Sequence, residues 1–521
     1  MWQSVLALST LVGPPGDHAT GAVSLSEIGR LAPIGSGGSA EVIVHDADSQ
    51  RLYVTDPVNA AVHAISMRDP SRPTRVGRID LADIGSSVNS VAVSSGLIAV
   101  AVSARDAVDP GTVALYDHDL RPLGRVPVGA TPDMVAFTPD GSTLLVANEG
   151  EPNEACTIDP PGSISLIDAR AIERGGDPVG VRTISFWSPS APDGRDLEPE
   201  YIAIDSDGST AFVVCQENNQ VAIIDLPSAR LRSMVDLGAK DHSQAGQGLD
   251  ASDRDGGIHI RPWPVAGLYQ PDSIVVFEHE GRTLIATANE GDPRDYKGFS
   301  EIARVADVTL DADAFADWPD VQAPERLGRL RVTTTRGDTD RDGDFDELYS
   351  FGARSVSIWT ERGELVWDSG DQIERAIAEG TPERFNSDHG GADENRSDDR
   401  GPEPEALAIA RLDGRRYLLC GLERVSGIAL FDITEPRAAS MVGYIPPSDA
   451  DAAPETMVAI SAERSPTGRP LVAVAYEVSG TVVIYELAPA PAGDAPHEFD
   501  EIERKEGPAI AEPSDPAWPR D

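Results

Sequence analysis

Residues 131–149 read TPDMVAFTPDGSTLLVANE, and this stretch decides the fold. An acid, Asp133, opens a short apolar run, a Thr-Pro-Asp-Gly turn reverses the chain, and a second apolar run ends on Glu149. Two short β-rich runs around a Gly-bearing turn form an antiparallel hairpin. The pattern returns as SAEVIVHDADSQRLYVTDP from Ser39, VNSVAVSSGLIAVAVS from Val88 and EPEYIAIDSDGSTAFVVCQE from Glu198. It returns again as QPDSIVVFEHEGRTLIATANE from Gln270, EPEALAIARLDGRRYLLCGLE from Glu403 and APETMVAISAERSPTGRPLVAVAYE from Ala453. Seven copies of one multi-stranded unit predict an all-β protein, a seven-bladed β-propeller.

The first copy supplies four strand-like runs, whereas the last supplies three before its pattern stops. The run AVSLSEIGRLA from Ala22 is expected to complete the last blade, pairing the two ends of the repeat region and removing an exposed edge. The propeller then spans residues 22–487. In the fifth blade SVSIWTERGELVWDSG, from Ser355, reads as strands three and four, which leaves long inserted loops at about residues 291–349 and 371–402. Insertions of that length are more often functional than decorative. Residues 1–21 have a short apolar stretch without a basic n-region and read as a degenerate signal or leader. Residues 488–521 are acidic, Pro-rich and without periodicity, the composition of a disordered tail.

Net charge is −44, from 87 acids and 43 bases, and only Lys240, Lys297 and Lys505 are lysines. Such a surface repels phosphate backbones and excludes nucleic acid as partner. It is compatible with bound divalent cations, and equally with a solvated surface suited to saline surroundings. No apolar run is long enough for a membrane-spanning helix. Cys156, Cys215 and Cys420 lack metal-ligand spacing, and the last two fall inside apolar runs as small core residues. Hydrolase, zinc-protease, Walker and Rossmann motifs are all absent from the sequence.

The repeat places acids at two points that an antiparallel hairpin brings to one face. Before strand one stand Glu41, Asp133, Glu200, Asp272, Glu405 and Glu455; after strand two stand Asp56, Glu149, Glu217, Glu290, Glu423 and Glu477. Like charges this close must hold cations, pair with arginines or share protons; capping of turns is the plainer alternative for any one of them. Separately, Asp338, Asp340, Asp342, Asp344 and Asp346 in GDTDRDGDFDELY match the core of a calcium loop, with Gly343 permitting the sharp turn. Asp250, Asp253 and Asp255 form a looser acidic grouping. Arg294, Arg396 and Arg424 in neighbouring polar loops are candidates for clamping a phosphate or other anion, or for neutralising the acids. His242 and His389 share these loops as candidate metal ligands, proton carriers or, for His242, an anion partner.

The motifs VNSVAV, VANEGEP, LEPEYIA, KDHS, GLDASDRDG, GPEPE, GLER and EVSGTV are long and unusual. Together with the calcium-like loop, they make residues 40–487 resemble the choice-of-anchor I domain family. The resemblance implies propeller repeats, an extracellular or surface location, and kinship with mesenchyme-specific cell-surface glycoproteins implicated in calcium mineral. Some relatives carry an alkaline phosphatase label. No sorting motif or hydrophobic anchor follows the repeats, so export is the expectation and the means of attachment stays open. The function expected is a secreted or cell-surface calcium-binding module for phosphate-bearing or mineral extracellular ligands. The alternative is a metal-dependent phosphomonoesterase with Asp133, Glu200, Glu290, Glu405 and Glu423 as metal ligands and Arg294 or Arg396 steadying the phosphate; Glu149, Glu217 and Asp272 complete the candidate metal set at the channel mouth. Either reading needs Ca2+, and the second adds another divalent or transition metal at the mouth.

Overall fold

Each repeat becomes a four-stranded antiparallel meander because its apolar residues alternate along short β-branched runs. The computed structural model describes residues 23–35, 37–173, 180–187, 194–391 and 394–490, and among them there are seven such sheets. Their first strands are Ile43–Asp46, Ser87–Ser94, Pro132–Phe137, Pro199–Ile204, Ile274–His279, Pro404–Leu412 and Pro454–Ile460. The protein is all-β and propeller-like. The leader expected over residues 1–21 lies outside the described residues, as does the tail beyond residue 490. None of the described helices is long and apolar enough to cross a membrane.

Second strands such as Leu97–Ser103, Thr210–Cys215 and Leu471–Tyr476 are buried along their whole length. The period of two sends successive side chains to opposite faces, and both faces are covered, so these strands read as continuous apolar runs. Tyr53 packs toward the second sheet with Val91 and Val100, while its neighbours Leu52 and Val54 pack on Ala473 and Ile484 of the seventh. Six further apolar clusters join consecutive sheets in the same manner or, in one case, fill an added layer. Cys215 and Cys420 are buried members of two of them. Val23–Leu31 pairs antiparallel with Thr481–Pro489, from Val23 opposite Pro489 to Leu31 opposite Val482.

The first insertion differs from the loops that the sequence suggests. Ala239–Asp241, Ala266–Leu268, Tyr349–Ser350, Arg331–Thr333 and Ile302–Arg304 assemble into a five-stranded sheet. Leu249, Trp263, Leu327 and Val332 give it a core of its own. The chain leaves and re-enters the fifth sheet through a pinch: Gly291 (φ +94°) and Gly352 (φ +72°) approach so closely that a Cβ on Gly352 would lie 2.0 Å from the Glu290 carbonyl. Only glycine fits there, and the pinch fixes the backbone that carries Glu290. In the second excursion, helix Gln372–Gly380 buries Ile373, Ala376 and Ile377 against the fifth and sixth sheets. The buried guanidinium of Arg354 ties both excursions together. It donates to the carbonyls of Asp250, Ser397 and Asp399 at 2.7 Å each and to Glu374 Oε1 at 2.8 Å.

Candidate metal centre

Strand-one acids occupy the same local distortion in several sheets. Pro132 pairs with Asn148 and Val135 with Val146, so Asp133 and Met134 lie opposite Ala147 alone. Glu200 and Tyr201 oppose Val214 likewise, and Glu405 and Ala406 oppose Gly421. A register shift also falls at Glu455 in the seventh sheet and at Asn89 in the second. Each is a β-bulge, which takes one residue out of strict alternation and re-aims its side chain. The preceding proline suits this place, because a bulge at a strand's start needs no donor from it. Strand-two acids are held opposite: the N–H of Glu149, Glu423 and Glu477 donates to the carbonyl of Thr131, Glu403 and Ala453, at 2.8–2.9 Å.

The acids converge. Burial, then Glu455, Asp133, Glu477 and Asp272, hold Glu41 well above the usual carboxylate range. Burial followed by Glu217, Asp272, Glu149 and Asp133 does the same to Glu200. Burial with neighbouring acids also raises Glu149, Glu217, Asp272, Glu405 and Glu423. Asp133 is pushed up to about 6, and Glu290 and Glu455 to about 8, with burial the leading cause. Asp56 stands apart, its carboxylate bound by Asn59 and, at 3.2 Å, by His63.

Three groupings bring one oxygen from each member within 4.8 Å of the others: Glu149 with Glu200 and Glu217, Asp272 with Glu290 and Glu405, and Glu290 with Glu403 and Glu423. They are not equivalent. Glu403, fully buried, accepts from Arg396 Nε and Arg424 Nε at 3.0 Å each and from Arg400 at 2.9 Å. Burial works against its charge, yet Arg400, Arg396 and Arg424 hold its carboxyl down to about 2. Glu290 accepts from Arg400 at 2.9 Å through one oxygen and from Gln216 at 2.7 Å through the other. The third grouping is therefore an ion-paired hub.

Glu149, Glu200 and Glu217 form the opposite kind of corner. Among the described residues no N–H or hydroxyl donor reaches Oε2 of Glu200 or Glu217, nor either oxygen of Glu198, which is only 1% exposed and meets only the carboxyl of Glu217. Burial leads in pushing Glu198 up to about 7. Arg294 is the nearby cation, but its buried Nε finds no acceptor and stands 3.7 Å from Asp196. Glu198 and Glu403 occupy the same place in their repeats, two residues before a strand-one acid. One is neutralised by three guanidiniums; the other meets only the carboxyl of Glu217.

Glu149, Glu200 and Glu217 line a cavity of about 450 Å³ together with Arg331, Arg396, Arg400, Arg424 and Tyr296. Among the described residues the Arg331 side chain is tied only through NH1, to Asp399 at 3.1 Å. His242 lies elsewhere: its ring is fully buried in the added layer, Nδ1 stands 2.6 Å from the Gln247 carbonyl, and burial followed by Lys240 pushes its pKa well below the usual value. His389 Nε2 stands 3.4 Å from Arg424 NH1. Glu198, Glu403 and Arg400 escaped the sequence reading, although the doubled acid of EPE, present only in the fourth and sixth copies, marks the first two.

In the calcium-like loop Asp338, Asp340 and Asp346 form one grouping, and Asp344 and Asp346 form another with Asp311, a residue the motif does not contain. Asp342 belongs to neither grouping; its backbone N–H donates to Asp338 and Asp340 at 3.2 Å each. Asp250 accepts from the His259 backbone N–H, Asp255 Oδ2 stands 2.9 Å from His259 Nδ1 and Asp253 accepts from Arg329, while Asp255 Oδ1 is buried without a partner among the described residues.

Stacked four-stranded sheets with a cavity lined by acids and arginines define a propeller-like domain with a carboxylate-rich centre. The chain belongs to the choice-of-anchor I domain family, whose model matches residues 41–436. It is similar to the mesenchyme-specific cell surface glycoprotein of Strongylocentrotus purpuratus, 28% identical over 339 residues, which cover 57% of this chain and 41% of that protein. It is also similar to gigasin-3a of Magallana gigas, 30% identical over 196 residues, covering 32% of this chain and 67% of that one. The chain thus spans less than half the length of the sea-urchin relative. Among solved structures it is similar to hydrazine synthase of Kuenenia stuttgartiensis (TM-score 0.48, 14% identity, 88% of this chain and 97% of that chain). A β-propeller domain of Myceliophteria thermophila Cps50 (Swd1) has a TM-score of 0.45 and 11% identity over 88% of this chain and 98% of that one.

Proposed function

We propose that this chain is a secreted or cell-surface binding module, a seven-bladed propeller closed by its N-terminal strand, that presents a divalent cation at the mouth of its channel. Glu149, Glu200 and Glu217 hold the ion, with Glu198 behind them. The observation that carries this reading is Glu198: a buried carboxylate that among the described residues meets only another acid, Glu217, at the position where Glu403 has three guanidiniums. A buried charge left unpaired is costly, and a bound cation removes the cost. An all-oxygen ligand set favours a hard ion such as calcium. The ion would then recruit oxyanion-bearing extracellular ligands, mineral or phosphate among them, into the arginine-lined cavity. The cell-surface name of the sea-urchin relative supports the location.

A Glu200→Gln/Glu217→Gln double variant is expected to lose this ion. At a hundredfold excess of calcium over its Kd the parent should gain about 2.7 kcal/mol in stability from the site, and the variant should not. Melting with calcium and with chelator reads the difference; an equal gain in both proteins would sink the assignment. The loop at residues 338–346 is a second calcium candidate. Asp340→Ala should weaken its calcium affinity by about tenfold or more, because ligand charge sets affinity in such loops; unchanged titration of that variant would remove the loop from the reading.

One observation favours a phosphomonoesterase as second reading. Arg331 and Arg424 line the cavity, and among the described residues nothing binds the NH2 of either. Such donors could steady a phosphate on a metal-activated centre. Turnover of a chromogenic phosphomonoester with calcium, manganese or iron, abolished in the double variant, would favour it; inactivity with every metal would leave the binding module.

A further inference from the structure

The interior holds a second group of carboxylates, contributed by other sheets than the corner at Glu149. Asp272 lies two residues before the first strand of the fifth sheet and Glu405 is the second residue of the sixth, each directly after a proline. Asp272, Glu290 and Glu405 bring oxygens within 4.8 Å of one another. Glu290 is already partnered, with Arg400 on one oxygen and Gln216 on the other. Glu405 is not: it is 6% exposed, and among the described residues no donor reaches its Oε2. Three acids from the fifth and sixth sheets therefore meet in the interior around an oxygen that lacks a partner there.

The backbone around them is braced for such a load. Ser273 Oγ donates to the carbonyl of Glu405, and Thr456 Oγ1 donates to that of Glu41, so adjoining sheets are tied at the acids themselves. These ties fix backbone position and leave the carboxylates unneutralised. Shared protons would relieve the repulsion, but they would do so for each pair separately. A divalent ion would relieve it for all three at once and bridge the sheets.

We propose a second divalent-cation site, enclosed between sheets, in which Asp272, Glu290 and Glu405 share one ion that fastens the fifth and sixth sheets together. It is structural, in contrast to the ion that faces the cavity, and its ligands do not overlap with Glu149, Glu200 and Glu217. Hard-ion chemistry applies here too, since every donor is a carboxylate oxygen.

The full chain, dialysed against calcium and then against calcium-free buffer, is analysed for bound metal by mass spectrometry. Glu405→Gln is expected to hold one ion per chain fewer than the parent, while Glu200→Gln/Glu217→Gln loses a different one; combining the variants should lose both. Melting separates an ion from shared protons. In chelator Glu405→Gln should melt above the parent, because a repelling charge has gone, whereas in calcium it should melt below. Asp272→Asn, measured in parallel, should show the same reversal and keeps the test decisive if Glu405→Gln misfolds. Unchanged metal content, or variants that melt above the parent in calcium as well, would overturn the second site. Loss of the cavity ion alone would leave it standing, so the two assignments fail separately.

Discussion

Stripped of divalent cations, the protein is expected to lose stability as pH rises from about 4.5 to about 8. Folded Glu290 and Glu455 hold their protons up to about 8, Glu198 to about 7 and Asp133 to about 6. The unfolded chain releases the same protons near the ordinary carboxylate value, about 4. Within that window the folded state binds more protons than the unfolded one, so rising pH favours unfolding. The direction is opposite to that of a salt-bridged acid. Chelated protein should melt roughly 5–10 °C lower at pH 8 than at pH 5, and saturating calcium should flatten the curve, since a bound metal replaces the protons. A chelated protein equally stable at both pH values would contradict the electrostatics of the buried acids.

Glu403→Gln is the single substitution expected to cost most. The amide keeps the space but removes the charge on which Arg396, Arg400 and Arg424 converge. Breaking a buried pair by removing one partner typically costs about 3–5 kcal/mol, because the other charge stays buried. Urea unfolding of parent and variant measures it, and a loss under about 1 kcal/mol would reduce the hub to a solvated surface network. Glu198→Gln is the matched control. The same change in the equivalent place removes an uncompensated charge, and in chelator it should be neutral or stabilising.

The alternation of the second strands and the acids at hairpin ends were legible in the sequence because both are local. Buried strands such as Leu97–Ser103 announce themselves as apolar runs. The difference between Glu198 and Glu403 was not legible, because it rests on three arginines that reach Glu403 from a loop and a neighbouring strand end. Arg400 sits in a polar stretch where nothing local separates it from Arg396. Short strands of two or three residues, such as Tyr349–Ser350, cannot establish a period, so the added sheet read as loops. His242 was placed with the anion-binding loops for its polar company, but pairing of Ala239–Asp241 with Ala266–Leu268 folds its ring inward. Asp311 joins the calcium-like loop from outside its motif, through contacts such as Leu310 opposite Phe345.

The bulges at the strand starts have a consequence for how such proteins diversify. A residue displaced from the ladder contributes nothing to the register on either side of it, so its identity can change while the hydrophobic faces stay aligned. The second sheet already shows this: Asn89 stands in the displaced position, donating to Ser103 Oγ at 2.9 Å and to the Pro132 carbonyl at 3.1 Å, and its strands pair as the others do. Selection can therefore rewrite this acidic face one letter at a time, inserting, neutralising or deleting a carboxylate without renegotiating the scaffold. The same independence makes these positions the natural starting points for redesigning the charge of this face.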